Sequence, residues 1–355
     1  MTETNEIYPL IPSENLPFRV VLLSGTWREM GRQYVLALHR EMRDVLSIML
    51  EPVRYDPEAL SLAKKLYDSE SYPIHRFFDG MLEAGPFRME ELQLLNAVEY
   101  VCGLGGCSAL AVWGQNTGDG RLLFGRNYDY NEKYKKLNKD VAVTVFAPAD
   151  GSQRVLTVGY AGEIYAVNGL NASGLFAELN NATPSGGTEI DMTRSFGTSL
   201  LLQMLFETED LNGADRFFAT HRCNLSYLIG VSDRFSAHFY EWDRAGTHTG
   251  RLPRPELFTL SNTYQCPEWN YPVPKEEHCW FSSTRRESMM KLAREKAGQM
   301  TAMDMKQIMS LPLSKGGPLF EDKTVYQLVY DPAEELLHIR VIGRGGWTAL
   351  SVKEL

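Results

Sequence analysis

No apolar run in this 355-residue chain approaches the ~18 residues that a membrane-spanning helix needs. The opening stretch MTETNEIYPLIPSENLPF lacks a basic segment followed by an apolar one, which excludes a secretory leader there. Positive charge is also short. There are 36 Lys and Arg against 45 Asp and Glu, a formal charge of −9, so neither nucleic acid nor an anionic membrane surface is an expected partner. The deficit is uneven: residues 1–106 hold ten Lys and Arg against sixteen Asp and Glu, net −6, and residues 107–355 hold the other −3. Cysteine is scarce as well. The five, Cys102, Cys107, Cys223, Cys266 and Cys279, are odd in number and not closely paired, which suits a reducing compartment and predicts a cytoplasmic protein. Cys266, His278 and Cys279 contain no close-spaced chelating pair, and no phosphate loop or dinucleotide fingerprint is present, so no metal and no cofactor is expected.

What is present divides into two textures. From about Trp27 to Val101 apolar residues recur at three and four, as in WREMGRQYVLALHREMRDVLSIML, which predicts helices. After Gly106 the pattern becomes paired strands: CSALAVWG with RLLFGRNYDY across an Asp-Gly turn, VAVTVFAP with QRVLTVGYAG, IYAVNGL with GLFAELNN, LSYLIGVSD with SAHFYEWD, and TVYQLVYD with LLHIRVIG. Two helical blocks interrupt them, MTRSFGTSLLLQMLFETED with NGADRFFATH, and STRRESMMKLAREKAGQ with TAMDMKQIMSL. Hairpins with two blocks of paired helices imply an α+β fold of two mainly antiparallel sheets with helices outside them, four layers in all.

Cys107 sits at the change of texture, directly after Gly105 and Gly106. A buried strand cysteine is one reading. A nucleophile is another, and it needs a base and donors for the oxyanion formed when it attacks a carbonyl. None of the seven histidines lies in a recognisable catalytic context; His238 alternates with apolar neighbours in SAHFYEWD. A second source of base exists if the Gly106–Cys107 bond is cut. Cys107 then carries an α-amine with a reference pKa of ~7.7–8.0 beside its own thiol. Gly106, lacking a Cβ, leaves room for the thiol to reach the preceding carbonyl. Arg126 and Asp129 in GRNYDY are three apart, so strand alternation puts them on opposite faces, and a bulge or strand end has to intervene for both to reach Cys107. In that case Arg126 favours the thiolate and Asp129 accepts from the new amine; otherwise they are a surface pair of little consequence. Asn180 and Asn262, each ending an apolar strand, are candidate oxyanion donors or plain turn formers.

Taken together these segments resemble the N-terminal-nucleophile hydrolases of the C45 peptidase group, typified by acyl-coenzyme A:6-aminopenicillanic acid acyltransferases. More distantly they resemble choloylglycine hydrolases and acid-ceramidase-like amidases. Six segments carry the resemblance in order: LLSGTWREMGRQY, ELQLLNAVEYVCGLGGCSALAVWG, GRNYDY, VNGLNASGLFAELNNA, TLSNTY and FSSTRRE. It implies a four-layer αββα sandwich and a self-cleaving chain, with residues 1–106 as a helical pro-segment that stays associated with a catalytic region, residues 107–355. It implies cleavage between Gly106 and Cys107, with Cys107 as nucleophile and its amine as base. Arg126 and Asp129 flank it, Asn262 is the main oxyanion donor, Asn180 lines the site, and the late arginine falls on Arg285 with Arg286 as its alternative. The implied substrate is a small N-acylated amide, cleaved at a linear C–N bond through a thioester. Acyl transfer to an amine is the alternative, and Arg126 before the N-aromatic-D strand resembles the hydrolytic branches.

Tyr128, Tyr130, Tyr165, Tyr264 and Trp269 lie near these motifs and are expected to wall an apolar acyl pocket. Two rival readings remain: an unprocessed thiol hydrolase using His238 as base, and an unprocessed, non-catalytic relative that binds rather than reacts. Oligomeric state is open.

Overall fold

The computed structural model describes the chain except for residues 1–6, 9, 11–15, 104, 166, 251–255 and 273. Most of the N-terminal stretch read for a leader, and Leu104 just before the two glycines, lie outside the described residues.

The first long helix, Trp27–Ile48, begins where Thr26 and Glu29 cap each other reciprocally, which satisfies donors the first turn leaves open. It lies against the helix Tyr72–Ala84 with almost no gap: a Cβ on Gly31 would sit 2.0 Å from the Phe77 carbonyl, and one on Gly80 1.9 Å from that of Arg28. The helices Pro57–Asp68, Met89–Asn96 and Val98–Val101 complete this region and lead into the Gly-Gly-Cys segment. The region is not purely helical. Arg19–Gly25 is a strand, pairing in parallel with Val141–Pro148 over seven residues, and Ile7–Tyr8 pairs in parallel with Ala349–Leu350. Residues 1–106 therefore supply an edge strand to each sheet. Both parallel edges were invisible to a hairpin-based reading, because parallel partners are distant in sequence.

Two sheets form the centre, as predicted. One runs Ile7–Tyr8, Thr348–Ser351, Leu336–Val341, Thr324–Asp331, Gly120–Asp129, Cys107–Gly114, Leu257–Leu260. The other has eight strands, from Gly246–Gly250 at one edge to Arg19–Gly25 at the other. Their facing surfaces interlock through rings, with Phe124 5.0 Å from Phe176 and Phe176 5.5 Å from Tyr330, while the Tyr326 hydroxyl donates to Asn168 Oδ1 at 2.9 Å across the gap. On the outer face of the first sheet, Leu110, Val112, Leu123 and Val329 pack against Met289, Ala293, Met305 and Met309 of the helices Ser282–Glu295 and Ala302–Ser310. The helices Gly197–Glu207 and Leu211–Thr220 lie on the other sheet. The fold is thus a four-layer αββα sandwich. The strand expected over IYAVNGL is shorter than its pattern and spans Asn168–Asn171.

Three strand ends meet in this frame. Cys107 opens its strand opposite Tyr128; Leu257–Leu260, hydrogen-bonded to it, delivers Ser261 and Asn262; Phe176–Asn181 arrives from the other sheet. No helix among the described residues is long and apolar enough to cross a membrane.

Candidate active site

Cys107 is buried, and its thiol and its backbone nitrogen face different partners. Arg126 Nη2 lies 3.5 Å from the sulfur, and the Asp129 backbone N–H also points at it. Burial pushes the thiol up to about 12 while Arg126 pulls it down, so in the uncut chain the group is a neutral thiol. The backbone N–H of Cys107 donates to Asn262 Oδ1 at 3.2 Å, and its carbonyl accepts from Ser261 Oγ at 3.1 Å.

Arg126 and Asp129 do stand on opposite faces of their strand, as alternation requires. Arg126 projects between the sheets. It forms a buried ion pair with Glu178, donates to the Leu179 carbonyl at 2.8 Å, and touches Asn180 Oδ1 at 3.5 Å. Burial works to lower the guanidinium, but the negative charge of Glu178, and of Cys107 when it ionises, outweighs it and holds its charge. Asp129 ends the strand, where the pairing with Thr324–Asp331 slips by a residue. Its carboxylate turns outward to Arg285 Nη1 at 2.7 Å and Thr324 Oγ1 at 2.6 Å. Both of its oxygens are thus engaged away from the Cys107 nitrogen, whose acceptor is Asn262 instead. Arg285 joins the two: it donates through Nη2 to Asn262 Oδ1 at 2.6 Å and to Ser261 Oγ at 2.8 Å. Of the two late arginines, Arg285 is the buried one at the site, while Arg286 lines a surface groove with Thr259 and Gln265.

Two donors converging on Asn262 Oδ1 fix which end of that amide is oxygen. Its Nδ2 then donates to the Asn181 carbonyl at 2.8 Å, and its backbone N–H is held by Ser282 Oγ at 2.9 Å. Asn262 is therefore an acceptor toward Cys107 in the uncut chain, where an oxyanion donor was expected, with the donor end pointing to the facing strand.

Asn180 also departs from its expected place. Its amide donates to Glu178 Oε1 at 3.0 Å, behind Arg126, and it does not line the space at Cys107. Asn181 does, and its Nδ2 reaches the Gly105 carbonyl at 3.3 Å.

The segment before Cys107 fills the site. A Cβ on Gly105 would lie 2.2 Å from the Asp129 carbonyl, and one on Gly106 2.4 Å from the Trp280 indole. Tyr130 holds the approach by donating to the Gly103 carbonyl at 2.8 Å. Trp280 and Phe281 both have left-handed backbones, φ 60° and 50°, an unusual pair that aims the indole at Gly106 and starts the Arg285 helix. The space left at Cys107 is about 10 Å³, at most one water.

Of the tyrosines expected to wall a pocket, Tyr128 lines this space, stacked at 4.8 Å on Tyr326, with its hydroxyl on Glu99. The other expectations need correcting. Tyr165 stacks on Phe196 at a separate space lined by Leu66 and Phe78, and Tyr264 stacks on Trp269 with its hydroxyl on the Trp242 carbonyl. Both serve packing, which is the usual fate of aromatics in sheets. His238, the rival base, contacts Asp215 at 3.1 Å on the helix Leu211–Thr220, on the outer side of the other sheet.

Glu99, Glu178, Asn181, Ser261, Trp280, Ser282 and Thr324 were not picked out from the sequence. Only some left a signal there: Glu178 is a lone charge in an apolar strand, Asn181 adjoins the Asn that was chosen, and Ser261 adjoins Asn262.

No protein-family model matches the sequence, and no curated protein matches it. Solved structures do. A Caenorhabditis elegans N-acylethanolamine-hydrolyzing acid amidase ortholog is 15% identical, aligned over 64% of this chain and 93% of its own at a TM-score of 0.48. Conjugated bile acid hydrolase from Clostridium perfringens is 12% identical over 70% of this chain and 93% of its own, at 0.49. Penicillin V acylase from Agrobacterium tumefaciens is 9% identical over 70% and 87%, at 0.42. Side-chain chemistry does not carry across such identities.

Proposed function

We propose that the chain is a self-processing thiol hydrolase that cuts a linear amide bond of a small N-acylated substrate. One observation carries this reading: the two halves of Cys107 are separately provided for. Its sulfur lies against a buried guanidinium, and its backbone nitrogen, the future α-amine, already rests on Asn262 Oδ1.

In maturation the Cys107 sulfur attacks the Gly106 carbonyl carbon, the acyl group passes from nitrogen to sulfur, and water cleaves the thioester. Fragments of 106 and 249 residues result. The amine so released keeps Asn262 Oδ1 as its acceptor, with Arg285 and Asp129 behind it. In turnover this amine takes the thiol proton, and the thiolate attacks the amide carbonyl. The amide of Asn181, which loses the Gly105 carbonyl once the Gly105–Gly106 segment has withdrawn, then faces the developing oxyanion, a neutral donor of the kind such a site needs. The amine then protonates the leaving nitrogen, and water resolves the thioester. A base at His238 has no support, since that ring faces the opposite side of the far sheet.

The denatured mass of freshly purified protein tests the reading. Two species that sum to the full chain plus one water, the larger beginning at Cys107, are expected, and Cys107→Ala should leave one folded, uncut chain near 40.2 kDa. A wild-type chain that stays whole for days, or a Cys107→Ala chain that is still cut, overturns it.

A further inference from the structure

Self-cleavage makes a demand that turnover does not. Until the Gly106–Cys107 bond breaks there is no α-amine to receive the thiol proton, so the first event needs a different acceptor. One carboxylate on the 1–106 side stands at the required place. Glu99, on the short helix Val98–Val101, shares the wall of the small space at Cys107. The Tyr128 hydroxyl, on the residue paired with Cys107 across the sheet, donates to its Oε1, and the Gly105 N–H points at it. We infer that Glu99 is the proton acceptor for the Cys107 thiol in self-cleavage, acting through the one water that the space can hold; this rests on the self-processing reading above.

The neighbours support the assignment. Glu178 is committed to Arg126 and Asn180, and Asp129 to Arg285 and Thr324. Facing Glu99 are Arg126 and Tyr128 from the Gly120–Asp129 strand, Cys107 from its own, and Glu163 from the loop after Val155–Tyr160. The hydroxyls of Tyr130, Tyr160, Tyr227 and Tyr326 and the Cys102 thiol complete the surround. Burial raises both carboxyls, Glu163 the more strongly, and Glu163 Oε1 has no hydrogen-bond partner. The Tyr128 hydroxyl and the Gly105 N–H both point at Glu99 and Arg126 faces it, contacts that favour the carboxylate, while burial raises the basicity a partner of a buried thiol needs.

The step balances. Glu99 takes the proton from Sγ through the water, and the thiolate adds to the Gly106 carbonyl carbon to form a tetrahedral oxyanion. As that collapses, the Gly106 C–N bond breaks, the proton returns from Glu99 to the Cys107 nitrogen, and a Gly106 thioester remains on Sγ. Water then hydrolyses the thioester, leaving a Gly106 carboxylate and a free thiol.

The test follows the cleavage of full-length chain by denatured mass over time, in wild type, Cys107→Ala, Glu99→Gln and Glu99→Asp. Glu99→Gln keeps the shape and the acceptor oxygen for Tyr128, so it should fold yet cut about 100-fold or more slowly. Glu99→Asp should recover part of the rate. The wild-type rate should fall on the acid side with a titration that Glu99→Gln lacks and Glu99→Asp displaces. Cutting of Glu99→Gln within about threefold of wild type overturns the inference and leaves the hydrolase reading standing. If Glu99→Gln does not fold, Glu99→Asp decides: a displaced acid limb supports the assignment and an unchanged one overturns it. An uncut wild type, or a cut Cys107→Ala chain, overturns the self-processing reading and this inference with it.

Discussion

Replacing Gly106 with alanine puts one methyl group at the bond the chain is proposed to break. The added Cβ would lie 2.4–2.7 Å from three atoms of the Trp280 ring, about 1 Å short of ordinary contact. An indole cannot yield by bending, so the ring or the Gly105–Cys107 backbone has to shift, at a cost of about 1–3 kcal/mol. The Asp129 carbonyl behind Gly105 closes the backbone's way out. The measurement is a double-mutant cycle by urea denaturation, made in a Cys107→Ala background so that every chain stays whole. Gly106→Ala and Trp280→Ala should each destabilise, and the double variant should lose less than their sum by about 1–3 kcal/mol, because removing the ring removes the clash. Additivity within about 0.5 kcal/mol would mean that Trp280 does not press on the scissile segment. With Cys107 restored, Gly106→Ala should cut more slowly than wild type, and Trp280→Ala should return part of that rate. A Gly106→Ala chain that cuts at the wild-type rate refutes the packing account.

Further expectations concern the donors, the buried acids and the association of the fragments. Asn181→Ala should lower kcat of the cut enzyme on an N-acyl amide by about 10²–10³-fold, the effect of losing one oxyanion donor, and a loss no greater than that of Asn180→Ala would shift the donor back to Asn180. Burial raises Glu70 and Glu178 to about 7 and Asp129 and Asp140 to about 6. The native chain thus binds more protons than the unfolded chain between about pH 4 and 7, so stability is greatest at the acid end of that window and falls as pH rises through it. His338, lowered to about 4 by burial, opposes this alone against the raised carboxyls. The Tm of uncut Cys107→Ala protein should therefore be higher near pH 5.5 than near pH 8, with the gap narrowed by Glu70→Gln; a Tm that climbs with pH contradicts the assignment. The two fragments should co-elute on size exclusion after cutting, and separation in native buffer would count against the two edge strands that residues 1–106 supply.

Much of this was legible before the structure because it is local. The Gly-Gly-Cys junction lies where helical spacing gives way to alternation, and alternation alone puts Arg126 and Asp129 on opposite faces. What stayed hidden depends on non-local geometry. Whether Asn180 or Asn181 faces the cysteine is decided by where the strand Phe176–Asn181 meets the other sheet, which no spacing rule reports. Glu178 stands out as a lone charge in an apolar strand, but its partner Arg126 belongs to the other sheet and nothing local names it. Trp280 carries no mark of its left-handed backbone. Tyr165 and Tyr264 lie near the motifs in sequence and pack elsewhere in space. In the whole chain Arg285 occupies the Asp129 carboxylate, and the Cys107 nitrogen rests on Asn262, a relay that no spacing in the sequence reports.

The seven-residue parallel ladder between Arg19–Gly25 and Val141–Pro148 bears on the order of a reaction. While the chain is whole, the ladder closes at an effective concentration set by the intervening residues, so folding is first order and indifferent to dilution. If Gly106 and Cys107 part as proposed, the same ladder joins two molecules. A cut protein taken to denaturant and returned would have to find its partner at bulk concentration, with a rate that scales with protein and a yield that collapses in dilute solution. The peptide bond at Gly106 would then act as a folding template, used once and consumed, and the mature protein would hold by kinetics a structure it reached only as a single chain.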